Sequence, residues 1–278
     1  MEINQQYLTG ERALYNTHNA IINDTTFDDG ESPLKESGDL KIYNSIFKWK
    51  YPLWYCKNVY CKNVSLIELA RSGIWYTKNI TFEDSTIAVP KTFRRSEDIK
   101  LVNTSLPVAE ETFWNCKNIK LKNVSSNGKY LMMNCENVEI ENYTHNGDYL
   151  LDGAKNVVIK NARIIAKDSF WNCENVEVHD SLIIGEYLGW NSKNIKFVNC
   201  TIDSLQGMCY MENIVMENCK LLNTNLAFEY SSVNADIKSN IDSVKNPTNG
   251  VIKAKKIKEI ILDEKLIDPT KVKIEVDE

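Results

Sequence analysis

The sequence has no run of about twenty apolar residues, the length a helix needs to cross a bilayer, and its start has no basic stretch followed by an apolar one. A cytoplasmic protein is therefore expected. Glycine is scarce, 11 in 278 residues, too few for a left-handed hexapeptide helix, in which glycine sits beside an apolar residue at every sixth position. With three histidines and no Cys-x-x-Cys pair among eight cysteines, no metal and no cofactor are expected. Phosphate loops and nucleophile elbows are missing too. A net charge of −5 with interspersed signs gives no basic face for nucleic acid or for an anionic membrane.

What the chain does have is repetition. A phrase of the form Asn-[Val/Ile]-x-apolar-x-[Asn/Asp] opens at Asp39, Asn58, Asn79, Asp98, Asn118, Asn137, Asn156, Asn175, Asn194 and Asn213, with an earlier copy at Asn19. Five residues after the openers stand Asn44, Asn63, Asp84, Asn103, Asn123, Asn142, Asn161, Asp180, Asn199 and Asn218. Within the phrase apolar and polar residues alternate, the period of a strand with one buried face. Short strands recurring about every nineteen residues with no helix-period segment between them predict an all-β parallel β-helix, a solenoid of about eleven coils. The stacked asparagines are read as structural, because amides one coil apart can bond to one another and to turn backbone. The spacing predicts an N-terminal cap at 1–18, the β-helix at 19–255 with degenerate copies at Asn234 and Gly250, and a C-terminal cap or tail at 256–278, all as one structural domain.

Four cysteines, Cys56, Cys116, Cys135 and Cys173, fall two residues before an opener, where other coils have Thr77, Ser96, Ala154 and Ser192. That substitution pattern marks a small, packed position, and the cysteines are read as reduced core thiols.

Five of the six tryptophans, Trp54, Trp75, Trp114, Trp171 and Trp190, stand four residues before an opener, and Arg94 and Asp152 fill the same column elsewhere. The preceding residue, Leu53, Ile74, Phe93, Phe113 or Phe170, reads as the inward one, which sets the tryptophans outward. Exposed indoles beside polar groups suit an oligosaccharide or glycoconjugate, whose C–H faces need rings and whose hydroxyls need amides and ions. Ligand contacts are accordingly expected from Trp54, Trp75, Glu111, Trp114, Tyr149, Trp171, Glu186, Tyr187, Trp190 and Tyr210. For chemistry, Asp152 and Asp168, with Asp148 one coil before Asp168, are candidates for paired carboxyls in glycoside hydrolysis. Lys91, Arg94 and Arg95 are candidates for neutralising a uronate during β-elimination. The competing expectation is a non-catalytic scaffold that uses the same column for a protein partner or for self-association.

The coil length and asparagine columns resemble the pectin lyase-like superfamily of right-handed parallel β-helices. The stretches 10–15 (GERALY), 30–35 (GESPLK), 48–55 (KWKYPLWY), 90–95 (PKTFRR) and 185–190 (GEYLGW) resemble a bacterial family known as a domain of unknown function. The resemblance implies the fold and a cytosolic bacterial setting, and it implies no activity. Asn-Thr-Asp-Gly, Gly-His-Gly and Arg-Ile-Lys, the marks of polygalacturonases, are absent from the sequence.

Overall fold

A computed structural model describes residues 1–277 and shows an all-β parallel solenoid with about fourteen turns. Its contacts divide into two compact units, Met1–Thr144 and the chain from His145 onward. In the first unit the phrase stacks on itself in register, Ala20 on Leu40, Val59, Ile80, Ile99 and Ile119. In the second, Val157 pairs with Val176, then Ile195, Ile214 and Val233. Each phrase is followed by a second rung, a short separate strand in some coils and the continuation of one long strand in others, which stacks Phe27 on Phe47, and Ile164 on Ile183 and Ile202. The inward side chains form the core, where Phe27 and Phe47 stack with centroids 4.6 Å apart, as do Phe93 and Phe113.

Each coil turns through corners whose residues have left-handed backbone, such as Asn58 (φ 56°), Asn63 (φ 52°), Asn118 (φ 55°) and Asn194 (φ 56°). Asparagine and aspartate tolerate that region better than other side chains. The corner side chains then join into ladders. Asn79 donates to Asn58 (2.9 Å), Asn137 to Asn118 (3.0 Å), and Asn194 to Asn175 (3.0 Å), while Asn63 donates to Asn44 and Asn123 to Asn103, each at 2.9 Å. The structural reading of these columns holds. Aspartate can accept in such a ladder but has no N–H to pass on. Asp98 accepts from Asn118 (2.9 Å) and leaves the Asn79 carbonyl without a donor, so the ladder breaks there.

All eight cysteines are free and buried, as the reduced-thiol reading requires. The column two before the opener is also more than small. Its hydroxyls and thiols donate to inward-corner carbonyls of the preceding coil: Ser96 to Ile74 (3.2 Å), Cys135 to Phe113 (2.7 Å) and Cys173 to Leu151 (3.0 Å). A buried carbonyl in a turn needs such a donor. Burial pushes the Cys56 and Cys173 thiols up to about 12, so neither is a nucleophile at neutral pH.

The coil count exceeds the expected eleven because both ends continue the stack. Glu2–Asn4 pairs in parallel with Ile21–Asn23, and Tyr7–Leu8 with Thr26–Phe27, inside the segment set down as an N-terminal cap. At the other end Asn249–Ile261 runs beside Ser232–Lys245, and Val272–Val276 lies on Gly250–Ala254, inside the expected tail. The Glu2–Asn4 and Val272–Val276 rungs lack the Asn opener, so the phrase does not reveal them. The copy read at Asn234 starts late, since Ile214 pairs with Val233 and the Ser232 hydroxyl accepts the Asn213 backbone N–H (2.7 Å). Likewise Val233 pairs with Gly250, so the strand of that coil starts at Asn249.

Two stability effects follow. Asp98→Asn restores the missing donor to Asn79, and the thermal midpoint is expected to rise by about 2 °C; an unchanged or lower midpoint would show that the ladder break costs nothing. In the second unit, burial holds the His145 imidazole down at about 4, with only Asp148 opposing. A depressed histidine pKa leaves its stability fully present above the unfolded value near 6.5 and lost as pH falls towards 4. The loss amounts to about 3 kcal/mol. Urea midpoints measured between pH 7.5 and 4 should therefore fall less steeply in His145→Gln than in the parent.

Candidate functional site

The inward residues Leu53, Ile74, Phe93, Phe113 and Phe170 are fully buried, and the tryptophans that follow four of them are half-buried on the outer side of the coil. The outward placement of the column is thus observed. Each indole also has a structural duty. Trp75 Nε1 donates to the Lys91 carbonyl (2.9 Å), Trp114 to Tyr130 (2.7 Å), Trp54 to Ser72 (2.6 Å), Trp171 to Tyr187 (2.6 Å) and Trp190 to Gln206 (2.8 Å). The acceptor is always the left-handed corner seven before the next opener. Phenylalanine has no N–H for that carbonyl, which explains why this column selects tryptophan.

In the first unit two files run side by side. Trp54 stacks on Trp75 at 5.0 Å, and the Arg94 guanidinium lies between Trp75 (5.1 Å) and Trp114 (4.3 Å). Beside them Tyr55 stacks on Tyr76 at 4.8 Å, and Arg95 lies over Tyr76 at 5.9 Å. Such stacking covers both faces of Trp75, so that indole does not offer a sugar the open plate the spacing predicts. Glu111 accepts from Arg94 (2.7 Å) and pairs with Lys91 (3.4 Å) through the same carboxylate oxygen. Two of the three cations nominated for uronate neutralisation, Lys91 and Arg94, are therefore already committed to Glu111, and the exposed Arg95 is the less constrained one.

The second unit is arranged differently. Trp171 stacks on Trp190 at 5.7 Å, but Tyr149 meets Trp171 edge-on (5.9 Å, 80°), as Tyr187 meets Trp190 (5.3 Å, 80°). Tyr210 inclines against Trp190 at 63°. One coil before Trp171 the column holds Asp152, a half-buried carboxylate that accepts from Asn172 (2.8 Å). Asp168 is raised above the usual carboxylate range by burial first and then by the charges of Asp148 and Glu186; Tyr149 and Lys167 oppose the shift. Lys167 pairs with Glu186 at 3.1 Å. Asp148 Oδ1 lies 3.4 Å from the Lys167 backbone nitrogen, which puts it at the same corner as Asp168.

The nominated catalytic residues thus fall in separate units, Lys91, Arg94 and Arg95 in the first and Asp152 and Asp168 in the second. Tyr230, which packs on Tyr210 at 5.6 Å, escapes sequence counting because its coil has one residue fewer between Ser231 and the strand. Among the described residues no cluster of His, Cys, Asp and Glu can hold a metal ion, and no helix is long and apolar enough to cross a membrane.

A family model described as "protein of unknown function (DUF3737)" matches residues 1–275, and the chain belongs to that family. No curated protein matches it. Among solved structures the chain is similar to the tailspike protein of Escherichia coli bacteriophage HK620, solved in complex with a hexasaccharide. That match has a TM-score of 0.58 and 8% identity over 94% of this chain and 71% of the other. It is also similar to the Streptococcus pneumoniae surface adhesin PfbA (TM-score 0.43, 11% identity, 94% and 81% covered). A third is the A-module of the Azotobacter vinelandii mannuronan C-5 epimerase AlgE4 (TM-score 0.31, 10% identity, 99% and 88% covered). At such identities the likeness is one of fold.

Trp114→Phe keeps a ring on Arg94 but removes the donor to the Tyr130 carbonyl. It is expected to destabilise the protein by about 1 kcal/mol, read from urea unfolding; equal stability would mean that the indole N–H is dispensable.

Proposed function

We propose that this family member is a carbohydrate-binding β-solenoid whose sugar sits against Trp171 in the second unit. The observation that carries this reading is the pairing of Trp171 with Asp152. Where the first unit covers Trp75 on both sides, the second stacks Trp190 on one side of Trp171, meets it edge-on with Tyr149, and in the preceding coil puts the Asp152 carboxylate, held by the Asn172 amide, in place of a ring. A pyranose needs that combination, an apolar surface for its C–H groups and fixed acceptors for its hydroxyls. The likeness in fold to a tailspike solved with a hexasaccharide supports the reading.

Turnover, where it occurs, would be glycoside hydrolysis with Asp168 as the acid. Its raised pKa and the neighbouring Asp148 fit an acid and base pair flanking a glycosidic oxygen.

The test is tryptophan fluorescence titrated with neutral, amino-sugar and uronate oligosaccharides, followed by chromatography of the mixtures. Saturable binding by the parent that weakens about tenfold in both Trp171→Ala and Asp152→Asn supports the site. Products lost in Asp168→Asn would make the protein a hydrolase, and binding without products a lectin-like one. Unaltered affinity in both site variants, or a concentration-dependent dimer abolished by Trp171→Ala, would replace the sugar reading with a protein interface.

A further inference from the structure

The first unit holds a cation that its surroundings leave unused. Arg95 is exposed, its guanidinium lies over Tyr76, and its one hydrogen bond runs from Nη1 to the Tyr76 hydroxyl at a long 3.4 Å. Tyr76 in turn rests on Tyr55 at 4.8 Å with the rings 4° from parallel. The stack holds the guanidinium in place. On the next coil the same column holds Asn115, also exposed, so an amide rather than another ring follows Arg95.

Charge completes the picture. Lys91, Arg94 and Arg95 belong to one coil, and the carboxylate paired with this set is Glu111, whose Oε2 takes both Lys91 and Arg94. Among the described residues no carboxylate comes within ion-pair distance of Arg95. Glu110, adjacent to Glu111, forms no ion pair with any of the three, and Glu97 is taken by Lys78 at 3.0 Å.

We infer that Arg95 is an oxyanion-binding residue, and that the first unit carries a second ligand site, for an acidic saccharide. A guanidinium set over a ring and bonded to its hydroxyl presents its remaining N–H groups to a carboxylate or sulfate with less orientational freedom left to lose. The Asn115 amide and Tyr76 hydroxyl stand where they can take sugar hydroxyls. Arg94 is a positioning residue here. Wedged between Trp75 and Trp114 and tied to Glu111, it keeps the coil in place and adds positive potential without touching the ligand. The Trp171 reading in the other unit does not enter this inference.

The test is isothermal titration of the full chain with a uronate tetrasaccharide, a sulfated tetrasaccharide, a neutral tetrasaccharide and inorganic phosphate. One of the two acidic sugars should bind about tenfold or more tightly than the neutral one, weaken as salt is raised, and lose about tenfold in Arg95→Gln. Arg95→Lys should recover only part of the loss, because an ammonium keeps the charge but not the fork. Arg95→Gln should melt at the parent temperature, since the residue is exposed, and Trp171→Ala should leave this binding unchanged whatever becomes of the other site. Failure of the parent to bind either acidic sugar, or equal affinity in Arg95→Gln, would overturn the assignment. So would phosphate binding as tightly as the sugars through Arg95, which would make the ligand a free anion rather than a saccharide.

Discussion

The interaction on which this structure depends is the hydrogen bond made by a side chain at a left-handed corner to its counterpart one coil away. A parallel coil must reverse direction several times in about nineteen residues, and each reversal turns backbone amides and carbonyls out of the strand ladder. At a corner, asparagine answers both demands, since it accepts positive φ and supplies a donor and an acceptor to the coils on either side. Once one coil has an amide there, the next does best with the same residue in the same register. That explains why Asn118, Asn137 and Asn123, Asn142 keep two columns going while the residues between them vary.

The same logic reaches the surface. The corner seven before each opener also exposes a carbonyl, and in five coils an indole N–H of the preceding coil satisfies it. Tryptophan is thus present first for the backbone, and only then as an outward aromatic surface. Whether that surface is available to a ligand depends on what occupies the neighbouring coil. Trp75 is covered by Trp54 and by Arg94, whereas Trp171 has Asp152 one coil before it in the column. Replacing a ring with a carboxylate at a single rung changes a closed stack into a place with a ring and an acceptor side by side.

Many charges on the coils find a partner one rung away, while others, Lys57, Lys100 and Arg163 among them, have none among the described residues. Lys78 with Glu97, Lys117 with Glu136 and Lys155 with Glu174 pair rung to rung, as stacked parallel strands favour. Such exposed pairs add little stability and mainly discourage misregister. Among the described residues Arg95 has no such partner, and Asp168 is raised above the usual carboxylate range by burial first and then by the charges of Asp148 and Glu186.

Much of this was legible in the chain itself. The period of about nineteen, the alternation within each phrase and the paired asparagine columns determined a parallel solenoid, its core and the outward face of the tryptophans, because in a stacked coil every residue meets its own counterpart and so repeats its own chemistry. The ends were less legible, since Glu2–Asn4 and Val272–Val276 form rungs on backbone pairing alone, without an opener to mark them. Only the tertiary structure decided the state of each side chain within its column: that Arg94 is sandwiched and paired while Arg95 meets no carboxylate among the described residues, that Lys91 and Arg94 share Glu111, and that Trp75 is covered on both sides while Trp171 stacks on Trp190 on one side only. A repeat specifies which residues stack, but the tilt of a ring and the choice of an ion's partner are set by packing against neighbours in three dimensions, and position in a column does not encode them.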